Sequence, residues 1–113
     1  MFIGVPKELR EFEGRVGLDP AGVATLVKND ILVFVENEAG RLSGFTNDEY
    51  LKAGAILCPQ KKVWQLADMI VKVKEPLPQE YEFFREGLKI MTFFHFPANP
   101  ELKKECERVG VVA

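Results

Sequence analysis

Ala67-Asp68-Met69-Ile70-Val71-Lys72-Val73-Lys74-Glu75-Pro76-Leu77-Pro78 is the stretch that decides how this chain folds. Met69 to Val73 is a short apolar run rich in branched side chains, closed by Lys74-Glu75-Pro76-Leu77-Pro78, and reads as a buried strand. Upstream, Pro59 to Ala67 reads as a helix with Val63, Trp64 and Leu66 as its apolar contacts. Downstream, Gln79 to Glu86 reads as a helix capped by Gly87. A buried strand between two helices is the unit from which parallel sheets are built.

The same alternation extends in both directions. Phe2 to Val5 reads as a strand broken by Pro6, and a charged loop follows from Lys7 to Leu18. Asp19-Pro20 opens a helix, with Asp as N-cap and proline at the first helical position, and Val23, Leu26 and Val27 form its apolar face. Ile31 to Val35 is a strand. Thr46-Asn47-Asp48-Glu49 is a capping box that starts a helix ended by Gly54. Ala55-Ile56-Leu57 and Lys89 to Phe94 are the remaining strands, and Asn99-Pro100 starts a last helix that Gly110 stops. Strand and helix alternate five times, which predicts an α/β fold: a doubly wound, mainly parallel sheet with helices on both faces. Val111-Val112-Ala113 reads as the opening of a further strand, so the sequence is expected to be cut inside a larger fold, or to have its sheet completed by another chain or segment.

Composition fits one domain and narrows the function. The 113 residues match the common size of a single domain, with 47% hydrophobic and 28% charged residues. The net charge is −2 and no basic stripe is present, which argues against nucleic acid. No apolar run approaches the roughly 20 residues of a membrane span. The two cysteines, Cys58 and Cys106, lack metal-ligand spacing and read as reduced thiols, so a cytoplasmic protein without a metal site is expected.

Three cationic or ionisable side chains follow predicted strands: Arg15 after the first, Lys74 after the fourth and His95 after the fifth. In a parallel sheet all three arrive at the carboxyl edge, where open α/β sheets bind ligands. An arginine and a lysine there suit a small carboxylate, and a histidine beside them can move a proton. A binding site for a small oxo- or amino-acid is expected. Lys72 is the rival to Lys74, two residues earlier on the same strand. Glu8 and Glu13 read as salt-bridge partners or loop scaffolding, and Phe93, Phe94 and Phe96 as core.

The residues around these candidates carry a resemblance. Ile3-Gly4-Val5-Pro6-Lys7-Glu8, Glu13-Gly14-Arg15-Val16 and Pro20 open it. Ala39-Gly40, Ser43-Gly44-Phe45, Tyr50, Ala53-Gly54-Ala55 and Val63-Trp64 continue it. Ala67 to Pro76, Phe94-His95 and Ala98-Asn99-Pro100-Glu101-Leu102 complete it. In this order they resemble the N-terminal domain of the alanine dehydrogenase and nicotinamide nucleotide transhydrogenase family. Lys74-Glu75-Pro76 and His95 look like the alanine dehydrogenase branch. Gly17, Asp19, Arg41-Leu42 and Phe96-Pro97 depart from its usual pattern, Arg41-Leu42 toward the transhydrogenases.

The resemblance implies a flavodoxin-like or Rossmann-like three-layer fold. It further implies a part in oxidising L-alanine with NAD and water to pyruvate, ammonia and NADH. Arg15 would hold the substrate carboxylate, Lys74 the carboxylate and carbonyl oxygen, and His95 would act as acid/base or polarise the substrate oxygen, so Lys74 and His95 are the catalytic candidates. NAD would be bound by a separate domain, because the nine glycines include no G-x-G-x-x-G turn. Residues 1–113 then read as an incomplete substrate-binding domain, inactive alone and expected to form homo-oligomers. The alternatives are the matching part of a proton-translocating transhydrogenase alpha subunit, or a stand-alone module that binds a small acid.

Overall fold

The structure, a computed structural model, describes residues 1–10, 13–93, 104, 105, 108 and 110. Its strands are β1 (Phe2–Val5), β2 (Leu32–Glu36), β3 (Ile56–Cys58), β4 (Met69–Lys74) and β5 (Lys89–Phe93). They form one sheet in the order β3-β2-β1-β4-β5, with every pairing parallel. Each expected strand is present, displaced by no more than a residue at either end. Phe94, expected to end the fifth strand, lies outside the described residues.

Helices cover both faces, because neighbouring residues of a strand point to opposite sides. Ile3, Val5, Val33, Val35 and Val71 point to one face, with Val23 of α1 (Pro20–Lys28) and Tyr50 of α2 (Asn47–Lys52). Ile70 and Ile90 point to the other, with Val63 and Trp64 of α3 (Gln60–Leu66), Phe84 and Leu88. The first core is mostly aliphatic. The second is aromatic: Trp64 is fully buried and stacks on Phe83 with ring centroids 5.7 Å apart.

The helix signals behave as their chemistry dictates. The Asp19 carboxylate accepts the Gly22 N–H at 2.7 Å and Pro20 follows it. Thr46 and Glu49 form the reciprocal capping box, and Gly54 leaves α2 at φ +101°, a conformation suited to glycine. The expected helix from Gln79 to Glu86 needs correction: Pro78–Phe83 is a 3₁₀ helix. Its first turn is closed by the Glu80 carboxylate, which accepts the Leu77 N–H at 2.9 Å. Six residues with Tyr81 and Phe83, and Phe84 just after them, drawn toward the aromatic core suit a short, tight helix better than α-helical spacing. Of the last expected helix, Lys104, Glu105 and Arg108 are helical and Gly110 turns at φ +86°. Its start at Asn99-Pro100, and Val111-Val112-Ala113, lie outside the described residues.

The sheet's amino edge is tied by backbone. Asp68 accepts the Phe2 N–H with its carboxylate and donates its own N–H to the Phe2 carbonyl, both at 2.7 Å. Its carbonyl takes the Lys89 N–H at 3.1 Å, so one residue joins the starts of β1, β4 and β5. Arg85 closes the end of α3 by donating to the carbonyls of Trp64 and Ala67.

Candidate functional site

The long connection from β1 to α1 folds across the carboxyl edge of the sheet. Pro6 ends β1, and Lys7 turns toward β2, its N–H donated to the Glu36 carboxylate at 3.0 Å. Glu8 then enters beneath the end of β4. Arg10 pairs with Glu75 just beyond that strand. The loop's second half is pinned by Ser43, whose hydroxyl donates to the Gly14 carbonyl. Tyr50 holds it too, donating its hydroxyl to the Leu18 carbonyl at 2.8 Å. Burial pushes that phenol up to about 12, so it stays protonated as a donor. Gly17 lies flat against β4: a Cβ at this position would fall on the Val71 carbonyl.

This loop presents Arg15. The Glu13 carboxylate accepts its backbone N–H at 2.8 Å and its guanidinium Nε and Nη2 at 3.0 Å each. Glu13 is buried, while the Arg15 side chain is 67% exposed. The arginine is therefore aimed from behind and keeps its remaining donors facing out. The hydrogen bonds from Arg15, with a smaller contribution from the Lys74 charge, hold the Glu13 carboxyl below the usual range. Arg15 and Lys74 thus share one electrostatic neighbourhood at the carboxyl edge.

Lys72 and Lys74 have separate fates on one strand. The Lys72 side chain is 1% exposed and its ammonium pairs with Glu8 at 3.2 Å and Glu80 at 3.6 Å. It is a buried ionic centre, not a ligand group. Lys74 is half-buried at the strand end, and its ammonium makes no hydrogen bond or ion pair among the described residues. A register shift between Val71 and Lys74 separates the two.

His95 lies outside the described residues, as do Phe94, Phe96 and Cys106. Cys58 is a free, half-buried thiol whose pKa is raised by burial. Glu8 and Glu13 serve as the ion-pair scaffolding that the sequence suggested. Nothing local in the sequence marks Glu80, Thr92 or the Arg10–Glu75 pair as part of this edge. One signal did point to the buried centre: a lysine inside an apolar strand needs a buried acid, and a carboxylate near the same edge supplies it.

The space beside Arg15 is narrow. A crevice lined by Lys7, Glu8, Glu13, Gly14, Arg15 and Leu42 measures about 10 Å³. A wider hollow of about 510 Å³, bordered by Glu38, Arg41, Phe45 and Asp48, opens on the outer side of the β2–α2 connection. Two carboxylates against one guanidinium make it a poorer seat for an anion. Among the described residues no cluster of three His, Cys, Asp or Glu could hold a metal ion, and no helix is long and apolar enough to cross a membrane.

A dinucleotide does not fit the described residues. The N-terminus of α1 is the one that follows β1, and the Asp19 carboxylate occupies it and would repel a pyrophosphate. The connection before it carries ion pairs in place of a glycine-rich turn.

Comparison with known proteins places this architecture. The alanine dehydrogenase/PNT N-terminal domain family matches residues 4–113. The alanine dehydrogenase of Bacillus subtilis (strain 168) is 50% identical over 114 residues, covering 100% of this chain and 30% of the relative. That of Methanococcus maripaludis is 47% identical over 105 residues, covering 92% and 28%. A solved L-alanine dehydrogenase superposes with a TM-score of 0.95 at 45% identity, covering 98% of this chain and 31% of that one. The transhydrogenase from Sinorhizobium meliloti is a weaker neighbour, with a TM-score of 0.91 at 30% identity, covering 98% of this chain and 32% of that one. The chain thus spans about 30% of the length of the relatives it matches. From residue 4 to its last residue, this chain belongs to the alanine dehydrogenase/PNT N-terminal domain family.

Proposed function

We propose that this chain forms the substrate-binding lobe of an alanine dehydrogenase, which interconverts L-alanine and pyruvate with NAD. The observation that carries the reading is the division of labour on β4. Lys72 is consumed by buried carboxylates, while the Lys74 ammonium has no hydrogen bond or ion pair among the described residues and lies in the neighbourhood of the exposed Arg15. Arg15 can offer a carboxylate two parallel N–H donors. Lys74 can neutralise charge on the carboxylate and on the carbonyl oxygen as it develops. His95, carried over from the family resemblance alone, exchanges a proton at that oxygen.

NAD is assigned to protein outside residues 1–113, since the described residues do not suit it. The free thiol of Cys58 accords with a reducing cytoplasm. Exposed Phe2 and Leu32, paired in register on adjacent strands, accord with contact to a second copy. The transhydrogenase reading is the poorer one, given Lys74-Glu75-Pro76 and His95.

Expression of the whole reading frame that carries this chain tests the proposal. It should consume NADH only when pyruvate and ammonium are both present. Residues 1–113 alone should give no NADH from alanine. A full-length product that turns over neither alanine nor pyruvate would sink the reading.

A further inference from the structure

β4 loses its neighbour just where Lys74 begins to matter. β1 and β4 pair at Ile3↔Met69 and Gly4↔Ile70, and the chain then leaves the sheet at Pro6. On the other side, pairing with β5 runs to Val71↔Met91 and resumes at Lys74↔Phe93 after a shift. Backbone groups in such a gap need other partners. Glu8 supplies them. Its Oε2 accepts the Val73 N–H at 2.9 Å and its Oε1 the Lys74 N–H at 3.2 Å. Oε1 also accepts from the Lys72 ammonium at 3.2 Å. The Val73 carbonyl is taken by the Thr92 hydroxyl at 2.8 Å.

We propose that Glu8 is a positioning residue for Lys74: its carboxylate stands in for the departed strand and fixes the backbone from which Lys74 reaches the substrate. The inference rests on the reading of Lys74 as a substrate-binding group. Glu8 acts through the last two residues of β4, while the rest of that strand is held by its ladders to β1 and β5. Lys72 is the counter-charge that lets a carboxylate stay buried there. Thr92 is the smaller clip on the opposite side of Val73.

Only a carboxylate can accept on both oxygens. Glu8→Gln keeps the shape but turns one acceptor into a donor facing an N–H or the ammonium. The test uses the full-length protein carrying this chain, assayed with varied pyruvate at saturating ammonium and NADH. Glu8→Gln should raise the pyruvate KM about ten-fold or more, the equivalent of one lost charged hydrogen bond, with the NADH KM essentially unchanged. Thr92→Val should raise it in the same direction by a smaller factor. Val63→Ala, a core truncation remote from this edge, should lower Tm without moving the pyruvate KM.

An unchanged pyruvate KM in Glu8→Gln overturns the proposal, as does an equal rise in both KM values. If Glu8→Gln does not fold, Thr92→Val decides: a selective rise supports the proposal and no change overturns it. Lys74→Met separates the two levels. If it keeps parental activity, the site reading falls and the inference with it. If it is inactive while Glu8→Gln behaves as the parent, only the positioning role falls.

Discussion

The two ends of the sheet are built by different means. At the amino edge, Asp68 ties the starts of β1, β4 and β5 through two backbone hydrogen bonds and one from the Phe2 N–H to its side chain. At the carboxyl edge the strands part, and carboxylates take over: Glu36 holds Lys7, Glu8 holds the end of β4, and Glu13 holds Arg15. At the amino edge the backbone groups of the strand starts are largely satisfied by one another through Asp68. Side-chain clips can aim a cation from one side and leave its remaining donors exposed, as Glu13 does for Arg15. The chain spends Lys72 to build that edge and leaves Arg15 exposed and Lys74 half-buried beside it.

Several substitutions probe this contrast, the largest effect first. Lys72→Ala strips the counter-charge from Glu8 and Glu80, both buried, and should cost about 3–5 kcal/mol in stability. Denaturant titration measures it, and a cost below about 1 kcal/mol would mean that the buried centre is not ionised as drawn. Lys74→Ala, two residues on, should do the reverse. Its stability should stay within about 0.5 kcal/mol, while kcat/KM for pyruvate in the full-length protein falls about 10²–10³-fold. Equal stability losses in the two variants would erase the division between them. Asp68→Ala, at the opposite edge, should cost about 1 kcal/mol through the lost bond to the Phe2 N–H. Its pyruvate KM should not move.

The smallest effect is a slope. Burial raises the Glu80 carboxyl above its ordinary value of 4.5, with the Lys72 charge opposing in part. A raised folded pKa means that the fold favours the protonated form. The contribution of Glu80 to stability therefore declines as pH rises from about 4.5 through the raised value, and is level above it. Glu80→Gln should remove that decline, so the variant gains on the parent across that window. Thermal unfolding at stepped pH reads the difference. A parent that gains on the variant with rising pH would show the shift to be downward.

Much of the fold was legible because its signals are local. Asp19-Pro20 and the Thr46–Glu49 box state where helices begin, and branched runs bounded by proline and glycine state where strands lie. Gln79–Glu86 misled because helical residue types there answer to the aromatic core and to the Glu80–Leu77 bond. Strand order alone could place Arg15 and Lys74 at the carboxyl edge, but not assign them a role there. It could not find the partners of Lys72, since Glu8 lies 64 residues away and Glu80 on the helix beyond. Only the folded sheet brings these three together.

On the proposed function, the carboxyl edge receives a small oxo-acid on Arg15 and Lys74. A crystal structure of the full-length protein with pyruvate bound tests it most directly. The pyruvate carboxylate should lie within hydrogen-bond distance of the Arg15 guanidinium, with the Lys74 ammonium on the carboxylate or the carbonyl oxygen. Pyruvate seated elsewhere, with Arg15 still held only by Glu13 and Lys74 in contact with nothing, would contradict it.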